Sequence, residues 1–213
     1  MARLAQARAM KQVLTVLLLA LPSAIAAQSI VAVPPGAGWR AVATEDDRRR
    51  LRNWRDAWTE ALRDVADGEN AGEIARGGPL FEPDTALPNP SPPPGIYNCR
   101  TIKLGAAQPD LLDYIAYPNF RCRIAMRNGR LEFAKLTGSQ RPVGLLFADN
   151  SRRQVFLGTL MLGDETRALR YGRDRERNLI GVLERVGADR WRIAFPHPHF
   201  ESRLDVIELT PRR

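Results

Sequence analysis

Two hydrophobic periods divide the chain. Between residues 44 and 66, apolar side chains recur three and four positions apart, as Leu51, Trp54, Trp58, Leu62 and Val65. That spacing predicts an amphipathic helix with one apolar stripe, its two tryptophans packed as core. Thr44 is placed to cap the first turn, with Asp47 in the reciprocal position of a capping box. Glu45, Asp46 and Asp47 suit the positive end of the helix dipole. Asp67-Gly68 reads as the stop, and 69–76 as a short second helical piece. From residue 95 the period falls to two. Segments 96–104, 114–126, 130–136, 143–148, 154–162, 179–186, 191–195 and 204–210 each read as a strand. Asn128-Gly129, Asp149-Asn150 and Gly187-Ala188-Asp189 supply turns between them. Short strands with tight connections predict a mainly β (α+β) protein: the helix, then an antiparallel, lipocalin-like barrel of about eight strands. Closure would remove exposed strand edges.

Proline marks the joints. Pro34 and Pro35, with Gly36 and Gly38, predict an extended lead-in over 28–40. Six prolines between Pro83 and Pro94 exclude helix and central strand, so 83–95 reads as an extended linker. The first residues follow another rule. Arg3, Arg8 and Lys11 precede an apolar run over 13–21, and Ala24-Ile25-Ala26 offers small residues to a signal peptidase. This predicts a cleaved secretory signal over 1–27; the apolar run is about half of what a membrane span needs. The expected organisation is therefore signal 1–27, lead-in and helical segment 28–82, linker 83–95 and barrel 96–213, in the periplasm or secreted, with no membrane anchor after cleavage.

Charge and cysteine content refine this reading. The formal net charge is +8, yet most arginines alternate with acids, as in Asp174-Arg175-Glu176-Arg177. That is the pattern of a solvated mixed-charge surface, and it argues against nucleic acid as a partner. Cys99 and Cys122 are an even pair in an exported chain and predict a disulfide between neighbouring strands. Closing such a loop is worth roughly 3 kcal/mol in the chain-entropy picture.

Several strings carry a resemblance. Cys99-Arg100-Thr101-Ile102-Lys103-Leu104-Gly105, Tyr117-Pro118-Asn119-Phe120-Arg121-Cys122 and the run from Lys135 to Gly144 resemble a family of uncharacterised exported bacterial proteins. Phe156-Leu157-Gly158-Thr159, Gly163-Asp164-Glu165, Tyr171-Gly172 and the Trp54/Trp58 helix extend it over nearly the whole mature chain. The resemblance implies export and a single unit. It brings no activity and no catalytic residues.

Candidate chemistry gathers at three places. Lys135, Thr137, Ser139, Gln140 and Arg141 fall where one strand turns into the next, a natural position for a binding loop. A cation, two hydroxyls, an amide and a guanidinium there can hold a carboxylate, phosphate or sugar; a self-satisfied turn is the plainer alternative. Asp164, Glu165, Arg167 and Tyr171 form the second group, in which paired carboxylates could do acid–base work. His197, His199 and Glu201 alternate as strand-borne metal ligands would, but Pro196 and Pro198 turn that stretch into an edge or loop, so no metal is expected. No cofactor fingerprint is present. The reading that results is an exported, non-enzymatic binding module for a small molecule or envelope component. A protein-interaction module of the protease-inhibitor type and a hydrolase using Asp164 and Glu165 are the alternatives.

Overall fold

The computed structural model describes residues 29–66 and 68–212. The expected signal segment and Asp67 of the expected helix stop lie outside them. The described residues make nine strands: β1 (Gly95–Ala106), β2 (Tyr114–Ala116), β3 (Phe120–Arg127), β4 (Arg130–Lys135), β5 (Arg141–Ala148), β6 (Arg153–Met161), β7 (Asn178–Gly187), β8 (Arg190–Pro196) and β9 (Ser202–Pro211). Eight of them, β1 and β3 to β9, form an antiparallel meander that β1 and β9 close into a barrel. The extra strand, β2, exists because Pro118-Asn119 interrupts what the sequence pattern reads as one strand. β3 pairs only with the Gly95–Cys99 half of β1, and β2 takes over opposite Ile102 to Leu104.

The two ends of the barrel differ. At one end β3–β4, β5–β6 and β7–β8 are joined by short turns. At the other lie the longer connections that carry residues 107–119, 136–140, 162–177 and 197–201. Inside, the short-turn end is filled by aromatic rings. Phe156 stands edge-on to Phe133 and Phe195, with centroids 6.0 and 5.4 Å apart, and Tyr97 to Trp191 at 6.1 Å. Gly144 and Gly158 face each other in register, and a Cβ on either would meet the Phe156 ring and the facing strand's backbone. Small residues there are what admit the ring. Cys99 and Cys122 form the expected disulfide, with Cα atoms 5.9 Å apart and both side chains buried inside.

The preceding residues pack on the outer wall. α2 (Glu45–Arg52) and α3 (Trp54–Ala66) are separate helices, because the helix breaks at Asn53. The predicted single stripe is therefore divided. Leu51 joins Ile30, Val31 and α1 (Trp39–Val42) against the outward residues of β5 to β7, such as Phe147, Leu157 and Ile180. Trp58 and Val65 cover Ile102, Leu104, Leu204 and Val206 on β1 and β9. The lead-in is thus interrupted by a turn over residues 34–37 and ends in a helical turn at Trp39. The second helical piece is α4 (Ala71–Gly77), followed by a 3₁₀ turn, Gly78–Leu80. Residues 83–94 pass the short-turn end with a turn at Pro83-Asp84 and a positive φ at Asn89; Leu87 makes an isolated bridge to Arg185 and Asn89 N–H donates to the Ser151 carbonyl.

Candidate functional site

Alternation along the strands decides which polar groups enter the barrel. Tyr97 and Cys99 point inward, so Thr101 and Lys103, two and four residues beyond Cys99, do as well. Lys103 faces Asp205, and Thr101 faces Ile207, across the β1–β9 seam. Lys135 sits opposite Cys122 and also points in. These groups meet at the long-loop end around a cavity of about 160 Å³. Leu160, Leu179, Phe195 and Ile207 form its apolar floor, and Ser139, Gln140, His199 and Glu201 part of its rim.

The two lysines are held differently. Lys103 is 3% exposed, and its Nζ lies 3.2 Å from both Asp205 and Glu201 carboxylates. Burial works against its ammonium, but Asp205 and then Glu201 outweigh it, so its pKa stands above the ordinary lysine value. Burial pushes the Asp205 carboxyl upward, opposed by Lys103 and by the Ser202 hydroxyl, which donates to it. Lys135 has no carboxylate partner among the described residues. Its Nζ donates to the Gln140 carbonyl at 3.0 Å and lies 3.7 Å from the centre of the Phe120 ring. Burial, reinforced by Lys103, lowers its pKa from 10.5 to about 8. Gly138, at φ +91°, makes the turn that leaves room for both Phe120 and this ammonium. The Thr101 hydroxyl, on a 9% exposed residue, has no hydrogen-bond partner.

The other expected site residues have different surroundings. Thr137 Oγ1 accepts from Arg121 N–H, fastening the turn to β3. Arg141 aims its guanidinium at the carbonyls of Leu162, Gly163 and Glu165 and holds the β6–β7 connection. Glu165 pairs with Arg177 and accepts from Leu162 N–H; those bonds keep its carboxyl below the usual range. Asp164 and Arg167 are exposed. The Tyr171 hydroxyl accepts from Thr44 N–H at 2.9 Å and donates to Asp47, linking that connection to the helix cap. That N–H is the one a capping-box partner would take, so Asp47 completes the box through the Thr44 hydroxyl and Tyr171 instead. His197 and Glu201 have positive φ, Glu201 turns to Lys103 and His199 toward Asp46. No group of three metal-ligating side chains is gathered among the described residues. Thus Lys135, Ser139 and Gln140 share one cavity, while Thr137 and Arg141 tie the neighbouring connections, and Asp164, Glu165, Arg167 and Tyr171 do not line it. Thr101, Lys103, Phe120 and Asp205 complete the cavity without having been singled out in the sequence. Their signal was the cysteine pair, since a buried disulfide marks the inward face of β1.

Fold and site together define a small up-and-down barrel, filled at one end, with a lysine-bearing pocket at the mouth of the other. The chain belongs to the family described as Domain of unknown function (DUF4893), whose model matches residues 39–209, helices and barrel alike. No curated protein and no solved structure matches it.

Proposed function

We propose that this chain is an exported binding module whose mouth pocket takes a small amphipathic molecule with one anionic or strongly polar head. The observation that carries this is the placement of the lysines. The chain has only Lys11, Lys103 and Lys135, against many arginines, and both of those among the described residues line one cavity. Lys103 has its counter-ions within the protein. Lys135 pairs with no carboxylate among the described residues and feels only the more distant Asp205, so a ligand head would supply a direct counter-ion. The Thr101 hydroxyl adds a free donor or acceptor, and the apolar floor suits a hydrocarbon body. A space of about 160 Å³ fits a body of benzene size, roughly six to ten heavy atoms. Export rests on the basic and apolar start, and on the disulfide. No helix among the described residues is long and apolar enough to cross a membrane. The interaction-module alternative draws on Leu112, 71% exposed on the connection beside the mouth.

The test has two arms. Protein exported through its own first residues and examined by native mass spectrometry should begin near Gln28 and carry a co-purified mass that is lost on unfolding. Titration calorimetry with benzoate and hexanoate should give one site, weakened at least tenfold in Lys135→Met. A bare polypeptide that binds neither acid at millimolar concentration would sink the reading.

A further inference from the structure

We propose that Lys135 is a reactive amine that condenses reversibly with a small aldehyde or ketone held in the mouth pocket. The inference deepens the binding reading above and rests on it. Its basis is geometric. Lys135 is 6% exposed yet borders an open cavity, and its Nζ donates to the Gln140 carbonyl and lies over the Phe120 ring face. No carboxylate among the described residues pairs with it, and the attraction of Asp205 is outweighed by burial and Lys103. A second ammonium, Lys103, lines the same cavity and disfavours protonation of the first. A lysine among apolar walls beside another cation is the arrangement that frees the amine lone pair near neutral pH. Lys103 cannot serve in its place, because two carboxylates hold it as ammonium.

The chemistry balances without any further reagent. The Nζ lone pair attacks the carbonyl carbon, the C–N bond forms, and the C=O π pair becomes a hydroxyl by taking a proton. The first of the two nitrogen protons balances the one taken up by oxygen; the second is delivered to the hydroxyl, which leaves as water as C=N forms. Amine and carbonyl compound thus become imine and water, with no change in oxidation state. Lys103, held as ammonium in the same cavity, can donate a hydrogen bond to the carbonyl oxygen and polarise it while keeping its proton.

Benzaldehyde with cyanoborohydride is the probe, since reduction fixes the imine as a benzylamine. Few lysines are present, so peptide mapping after cleavage reports each amine separately. At neutral pH, Lys135 should be benzylated on the order of tenfold faster than Lys103. Its rate should saturate with benzaldehyde and rise with pH toward a plateau above 8, while the terminal α-amine responds linearly as an internal clock. Benzoate, which has the shape but no electrophilic carbon, should protect Lys135 and spare the clock. Lys135→Arg should abolish the saturable label and still fold by circular dichroism. Labelling of Lys135 that is linear, unprotected and no faster than at Lys103 overturns the proposal. If benzoate still binds by calorimetry in that case, the binding reading stands alone; if it does not, both fall.

Discussion

A single residue, Lys135, shows how the protein gives up stability at its pocket. An ammonium buried without a counter-ion costs free energy, and the fall of its pKa to about 8 expresses that cost. The sign follows from proton binding. Between about 8 and 10.5 the unfolded chain holds a proton on Lys135 that the folded chain has released, so the residue's contribution to stability rises with pH across that window. Below it the penalty is full. Lys135→Met keeps the contact with Phe120 and removes the charge, so it should raise stability at pH 7 by roughly 1 kcal/mol after allowing for solvent screening. The gain over the parent should shrink toward zero as pH approaches 10.5. Thermal midpoints of the two proteins across that range check this, and a destabilised Met variant at pH 7 would contradict it. The residue itself was legible in sequence as the cation of a strand-end cluster. Its neighbours were not, because Asp205 and Thr101 lie far away along the chain and reach it only when the barrel closes.

At the scale of elements, the helices depend on polar ties that hydrophobic periodicity does not report. The pattern from Leu51 to Val65 reads as one stripe, but the break at Asn53 sends Leu51 to one wall and Trp58 to another. What fixes the second contact is Arg192, fully buried on β8. It pairs with Glu184 across the β7–β8 ladder and donates to the carbonyls of Pro79, Leu80, Glu82 and Pro83, with its guanidinium 4.5 Å from the Trp58 ring centre. In sequence Arg192 is one arginine among many and belongs to no motif, so nothing distinguished it. Arg192→Met would leave Glu184 buried without this cation and free four carbonyls, a loss of about 3–5 kcal/mol. Urea denaturation should show it, and limited proteolysis should cut first between 77 and 84. Adding Glu184→Leu should recover much of the stability, because the uncompensated carboxylate is the larger part of the damage.

For the whole molecule, closure and the pocket hang on the same strand. β1 pairs with β9 along nearly its full length, with β3 through its first half and with β2 through its second. Alternation and turn signals made the strand count and antiparallel order readable, but this division of β1 arises from Pro118-Asn119, whose effect depends on where the neighbouring strand ends. The disulfide sits at that point: Cys99 and Cys122 join β1 to β3 just below the place where β3 stops and the segment bearing Tyr117 and Phe120 becomes the cavity wall. Replacing both cysteines with serine, or folding in a reducing compartment, should therefore do more than lower stability by roughly 3 kcal/mol. It should loosen the one side of the mouth that has no full-length strand. Binding of benzoate should weaken at a temperature where the barrel remains folded by circular dichroism, and exchange of the Tyr117 and Arg121 amides should accelerate before that of β6 and β7. If affinity and amide protection at the mouth survive until global unfolding, the bridge serves only the unfolded-state entropy and the pocket is held by the barrel alone.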